Sequence, residues 1–274
     1  MSTEAFDAAL DILRRLDPTK IEKNLAQLIQ LEPSLAEDLL ASVDTPLQIK
    51  KDPNASQREF LCCDYNRDID SHRSPWSNQY VPALSTEELE ESPFPSESVR
   101  KLEVLANDSF DIYRDLYYEG GVSSVYLWDL GDNSSDFAGV VLLKKGDKSL
   151  SSWDGIHIIE VLQEGSEVVY RITTTIILHL GAARKMTLSG NLTRQTEKSF
   201  PAPSKLSEDQ LHVWHISNLG SLVETIESQM RNLLEVVYFD KTRDIYHELR
   251  DSSSQTSSQN KTAHEEVIKG LQGM

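Results

Sequence analysis

The hydrophobic positions change their spacing along the chain, and each change marks a different kind of element. In residues 3–16, Phe6, Leu10, Leu13 and Leu16 recur at helical spacing until Asp17-Pro18 breaks the run. Pro18 suits the first turn of a second helix, with Asp17 as its cap, and Ile21, Leu25, Leu28 and Ile29 supply that helix's stripe. Glu32-Pro33-Ser34 interrupts again before a third stripe of Leu35, Leu39, Leu40 and Val43. Helices this close in sequence must fold back antiparallel on one another. Residues 1–46 therefore read as a three-helix antiparallel stalk whose exposed seams rest on a further surface.

Residues 47–95 keep no period and are punctuated by Pro53, Pro75, Pro82, Pro93 and Pro95, so they read as a turn-rich connecting region. The helical period resumes over 96–120 through Val99, Leu102, Leu105, Phe110, Tyr113 and Leu116, and Gly120-Gly121 stops it. From 121 to 200 the period is two. Val125-Tyr126-Leu127-Trp128 and Ala138 to Leu143 are strand-like, and Ile156 to Leu162 follows a turn at Trp153-Asp154-Gly155. In 168–180 the even positions from Val168 to Leu180 are mostly apolar, while Arg171, Thr173, Thr175 and His179 make a wetter face. Met186, Leu188 and Leu192 repeat the pattern. Short turns leave no room for parallel crossovers, so the sheet is an antiparallel meander of about five strands.

Something must cover its apolar face. Within 201–250, Ile216, Leu219, Val223, Ile226, Met230, Leu233, Leu234, Val237 and Tyr238 step by threes and fours, as in one long amphipathic helix. The fold class is α+β: stalk, sheet and covering helix. Residues 251–260 contain nothing apolar and read as a flexible linker. Thr262-Ala263-His264-Glu265 then begins a short helix with Val267, Ile268 and Leu271 on one face. So short a helix orders only when docked, and Gly270 and Gly273 leave a frayed terminus as the other reading.

Composition narrows the functional classes. Carboxylates outnumber Lys and Arg by 44 − 27 = 17 among 274 residues, a field that disfavours nucleic acid as a partner. The cysteines, Cys62 and Cys63, are neighbours and build no disulfide framework. With an acidic start and no apolar run of spanning length, the expected location is the cytoplasm. Asp64, Asn66, Asp68 and Asp70 imitate a calcium loop, but its sixth position is Ile69 and its twelfth Pro75. The expectation is a loop folded by its own Asx side chains, with Arg67 and Arg73 pairing to its carboxylates. His212-Val213-Trp214-His215 has no further ligand nearby for zinc, and no nucleophile elbow or phosphate loop appears. The expectation is a non-enzyme that needs no metal or cofactor.

The blocks Leu61-Cys62-Cys63-Asp64-Tyr65-Asn66-Arg67-Asp68 and His72-Arg73-Ser74-Pro75-Trp76-Ser77-Asn78 resemble the β-subunit family of F-actin capping protein. So do Tyr113-Arg114-Asp115-Leu116-Tyr117, the run Glu119 to Asp129, Ile21-Glu22-Lys23-Asn24-Leu25 and Leu192-Thr193-Arg194-Gln195. The resemblance runs from the first helix to about Arg250. It implies an obligate heterodimer with a similarly folded α subunit, the two sheets joining into one layer beneath long helices in a mushroom shape. It implies calcium-independent binding to filament barbed ends, blocking subunit addition and loss, in the cytoplasm, cytoskeleton and cortical actin patches.

The same resemblance makes 251–274 a mobile tentacle anchored on actin by Val267, Ile268 and Leu271, with Arg231, Lys241 and Arg243 as its basic companions. Those cations face actin or phosphatidylinositol 4,5-bisphosphate. Arg14, Arg15, Asp64, Tyr65, Arg67 and Trp76 fall on the surface that receives capping-protein-interaction motifs of regulators. The chain departs from the family in three places: residues 261–274 carry no net charge, Ile69 stands where Gly is frequent, and Gln229 stands where a basic residue is common. The alternative function is a heterodimeric interaction scaffold of the same fold without capping activity.

Overall fold

The computed structural model describes residues 3–15, 20–36, 39, 46–131, 136–145, 151–181 and 187–234. It divides into two compact units, residues 1–223 and 224–274. In the first, α1 (Thr3–Arg15) and α2 (Ile21–Leu31) are followed by a 3-10 turn at Pro33–Leu35. Ala9, Leu13, Leu25, Leu35 and Leu39 are buried together, with Leu10, Leu28 and Ile29 packed against them. The stripes expected from sequence thus face one another. α2 begins at Ile21 with Lys20 in the cap position and no side-chain cap bond, not at Pro18 behind Asp17. Leu16, Asp17, Pro18, Leu40 and Val43 themselves lie outside the described residues, as does the side chain of Phe6.

The connecting region holds more structure than its prolines suggest. It contains a hairpin of β1 (Gln48–Asp52) and β2 (Arg58–Cys62), and a small sheet of β3 (Arg67–Asp68), β4 (Ser71–Arg73) and β5 (Tyr80–Val81). A short α3 (Thr86–Glu91), capped by Ser85, leads into α4 (Glu97–Tyr117), capped by Ser96. Strands of two to five residues are too brief to impose a readable alternation, which is why the sequence showed only turns there.

The main sheet is antiparallel, in the order β10-β9-β8-β7-β6. Its strands are β6 (Val122–Asp129), β7 (Phe137–Lys144), β8 (Ser151–Glu164), β9 (Glu167–Gly181) and β10 (Thr187–Pro201). Gly120, at φ +78°, turns the chain out of α4, and a Cβ on Gly121 would sit 2.0 Å from the Lys144 carbonyl oxygen. The glycine pair is a helix stop and a close backbone approach. Val125, Leu127, Phe137, Val141, Ile159, Val161, Val168, Tyr170 and Ile172 form one face of the sheet. Against it pack Val99, Leu102, Ala106 and Phe110 of α4, and Leu219, Leu222 and Val223 of α5 (Glu208–Leu234).

Three expectations are corrected. Trp153-Asp154-Gly155 is not a turn; β8 runs straight through it, because Asp154 is buried and bonds Lys144 Nζ at 2.7 Å and the Leu47 backbone N–H at 2.9 Å. The opposite face of the sheet is not simply wetter: Tyr126, Val140, Leu142, Ile156 and Ile177 are buried there beneath Leu47 and Leu61. The hairpin is fastened by Tyr126 Oη donating to the Leu61 carbonyl at 2.7 Å, and by the Leu61 N–H donating to Ser124 Oγ at 2.9 Å. The apolar stripes also end sooner than their spacing suggests: Leu233 of the covering helix and Leu116 of α4 are exposed.

The two edges of the sheet differ. On β6, the outward N–H and C=O of Val125 bond the side chain of Asn107 at 2.8 and 2.9 Å, and the Leu127 N–H donates to Glu103 Oε2 at 2.7 Å. Side chains of α4 thereby occupy backbone positions that another strand would use. At the other edge, among the described residues, β10 pairs with β9 alone.

Candidate functional site

The segment 61–79 joins the hairpin, the small sheet and α4. Its first half is held by Asn66, whose Oδ1 accepts from the Cys63 N–H at 2.9 Å and whose Nδ2 donates to the Arg73 carbonyl at 2.9 Å. That is the Asx loop the sequence implies. Arg67 lies 3.9 Å from Asp64 and 3.6 Å from Asp70, and its Nε donates to the Ile69 carbonyl at 2.9 Å. Ile69 adopts φ +52°, the left-handed region that a β-branched side chain resists. Tyr65 stacks on Trp128 with ring centroids 6.1 Å apart and planes 8° from parallel, while staying substantially exposed.

Arg73 corrects an expectation. It pairs with no carboxylate of its own loop; its guanidinium makes a two-point contact with Glu103 of α4, at 2.8 and 2.6 Å. Burial opposes charge on Arg73, but the bonds and field of Glu103 outweigh that and hold its pKa above the ordinary arginine value. Glu103, 0% exposed, also receives Arg100. The other nitrogen of Arg100 donates to the Pro75 carbonyl at 2.8 Å and to that of Trp76 at 3.4 Å. Arg73 further donates to Asn78 Oδ1 at 2.7 Å.

Trp76 faces a cleft of about 670 Å³ lined by Ser56, Arg58, Pro75, Val104, Asn107 and Asp108, among others. Its Nε1–H donates to the Glu59 carbonyl at 2.9 Å, and the Arg58 guanidinium lies 3.4 Å from the ring centroid. Arg58 also bonds Asp111 at 2.7 Å. The structure therefore brings Asp64, Tyr65 and Arg67 together on one loop and seats Trp76 against α4. Partly exposed aromatic faces beside paired charges can recognise a polypeptide.

Other candidates resolve differently. Arg14 and Arg15 end α1, with side chains outside the described residues. In the second unit, Arg231 bonds the buried Glu227 at 2.6 Å along the helix. Lys241, Arg243, Val267, Ile268 and Leu271 lie outside the described residues. Burial pushes both the Cys62 and Cys63 thiols up to about 12, which leaves them protonated and poorly nucleophilic. His215 Nδ1 lies 2.7 Å from Tyr170 Oη, and burial, reinforced by His212, lowers its pKa to about 4. His72 falls to about 4 through burial first and then through Lys50 and Arg67.

Arg58, Arg100, Glu103 and Asn107 are the residues that sequence reasoning passed over. A signal existed for two of them. Glu103 and Asn107 fall in phase with Val99, Leu102, Ala106 and Phe110, so a charge and an amide sit on the apolar stripe of α4. Polar residues at buried phase need partners fixed elsewhere in the fold.

The family model described as F-actin capping protein, beta subunit, matches residues 6–246. F-actin-capping protein subunit beta of Saccharomyces cerevisiae is 58% identical, the match covering 100% of both chains. Its counterparts in Candida glabrata and Yarrowia lipolytica are 58% and 55% identical, covering 99% of this chain and at least 99% of each relative. Among solved structures, the homodimeric actin capping protein alpha subunit from Plasmodium berghei superposes with a TM-score of 0.51 at 15% identity. That match covers 90% of this chain and 96% of the other. At that identity the likeness concerns the fold.

Proposed function

The chain belongs to the F-actin capping protein β-subunit family, and we propose on that premise that it pairs with an α subunit to cap actin filaments. The heterodimer binds the barbed end and blocks subunit addition and loss, without calcium and without making or breaking a covalent bond. What carries this reading is identity above half along essentially the whole chain, with the family model spanning the sheet and the covering helix over residues 6–246. The unequal edges of the sheet support the pairing: α4 side chains fill the β6 edge, and the β10 edge is left to extend into a partner's sheet.

In this reading Val267, Ile268 and Leu271 seat the tail in an apolar cleft on a terminal actin subunit. Arg231, Lys241 and Arg243 lie toward actin or phosphatidylinositol 4,5-bisphosphate headgroups. Arg14, Arg15, Asp64, Tyr65, Arg67 and Trp76 receive regulators that carry capping-protein-interaction motifs, and the protein works in the cytoplasm at cortical actin patches. The test is seeded actin elongation from free barbed ends with this chain co-expressed with its α partner. Intact heterodimer should arrest growth, and a heterodimer whose β chain ends at Asp251 should arrest it weakly. A well-folded heterodimer that leaves elongation untouched refutes capping and favours the scaffold.

A further inference from the structure

The carboxylate of Glu103 ties the 61–79 segment to a helix and a strand. It takes both arms of Arg73, one arm of Arg100, and the Leu127 N–H of the edge strand β6. Through Arg73 it reaches Asn78, and the Arg73 carbonyl in turn receives Asn66, which receives Cys63. Through Arg100 it reaches the carbonyls of Pro75 and Trp76. A single buried anion thus fixes residues 63, 66, 73, 75, 76 and 78 relative to one helix and one strand.

Stability alone does not account for such a device. A buried ion pair exchanged for apolar side chains of similar volume is frequently neutral or stabilising, because its desolvation cost offsets most of its attraction. What the pair supplies is geometry: a planar guanidinium on a carboxylate fixes distance and orientation together. The segment it fixes contains a backbone position that needs holding, the β-branched Ile69 at φ +52°. It also presents Tyr65 and Arg67 outward and holds Trp76 in the cleft beside α4.

We infer that Glu103 is a positioning residue for partner recognition: with Arg73 and Arg100 it sets the 63–78 segment in register with α4, so that Trp76 and the Asp64–Arg67 loop meet a bound peptide as one surface. This rests on the reading of that loop as the regulator surface. It adds that the surface is assembled by a buried carboxylate on another element, one that touches no partner.

The test uses the co-expressed heterodimer, intact and with the β-chain double substitution Glu103→Met with Arg73→Met, which keeps volume and removes the clamp. The readouts are arrest of seeded elongation, affinity for a synthetic peptide carrying the capping-protein-interaction motif, and hydrogen exchange over 63–78. The expected result is capping within about twofold of the parent, peptide binding weaker by about tenfold or more, and faster exchange over 63–78 and at the Leu127 amide, which loses its acceptor, without spread to the rest of the sheet. Arg73→Lys, which keeps the charge without the two-point fork, should fall between the two. Peptide binding equal to the parent's overturns the inference, and so does joint loss of capping and binding, which would mark a merely structural role. If the intact heterodimer binds no such peptide, the regulator reading fails by itself. Exchange over 63–78 then decides the positioning: unchanged exchange there in the double variant refutes it, and faster exchange over 63–78, with only the Leu127 amide affected outside it, upholds it.

Discussion

Replacing Asn107 with Ala should be among the most damaging single changes to this fold. Asn107 is 2% exposed, and its amide closes a two-point contact with the backbone of Val125 on β6. The third bond, from Nδ2 to the Glu103 carbonyl at 2.9 Å, matters less, because that carbonyl sits within a helix and keeps a backbone donor. Truncation therefore orphans one buried N–H and one buried C=O. At about 1–3 kcal/mol for each unsatisfied buried group, the loss is roughly 2–6 kcal/mol. Asn107→Asp should be no better. It keeps the acceptor for the Val125 N–H but turns a lone pair toward the Val125 carbonyl and brings a charge into the interior. Asp108→Ala, one residue along and exposed, is the control and should change stability by less than about 0.5 kcal/mol. The assay is urea unfolding of the heterodimer, paired with hydrogen exchange at the Val125 amide. A loss below about 1 kcal/mol with Val125 still protected would show that water entering from the cleft replaces the amide, and would refute the reasoning.

Ile69→Gly should stabilise the heterodimer by about 0.5–1 kcal/mol, since it relieves a β-branched residue at φ +52° and costs only some unfolded-state entropy; a lower urea midpoint would contradict this. Acid should weaken the fold through His215. Below pH 6.5 the unfolded chain takes up a proton that the buried ring refuses until about pH 4, so stability present above 6.5 is lost across that window. The loss from this group is about 3 kcal/mol, and His72 adds to it with the same sign. His215→Gln should flatten the dependence of urea midpoint on pH, and an unchanged slope would exclude His215 as the cause. Leu271→Asp should raise the rate of release from barbed ends by about five- to 150-fold, matching the loss of an apolar anchor of about 1–3 kcal/mol; an unaltered release rate would remove the tail from the mechanism.

Much of the architecture is written in local periodicity. The even positions of 168–180, the stripe of α4 and the capping serines before α3 and α4 each answer to neighbours a few residues away. Helix and strand geometry converts such spacing directly into faces, so five strands, their meander and the helix packed on them could be read before any contact was known. The family blocks around Asp64–Arg67 and Trp76 were legible in the same way, as strings. What the string could not carry was partnership across long separations. Arg73 had carboxylates close by in sequence and took one 30 residues away, because bidentate burial against Glu103 compensates its desolvation and an exposed Asp64 or Asp70 does not. Only the tertiary structure decided that β1 and β2 roof the second face of the sheet, that Asp154 sits in a strand because Lys144 and Leu47 meet it there, and that Asn107 and Glu103 fill one edge while, among the described residues, β10 pairs with β9 alone. The physical reason is the same in each case: a buried polar group must be satisfied by whatever the fold brings to it, and sequence distance does not enter that requirement.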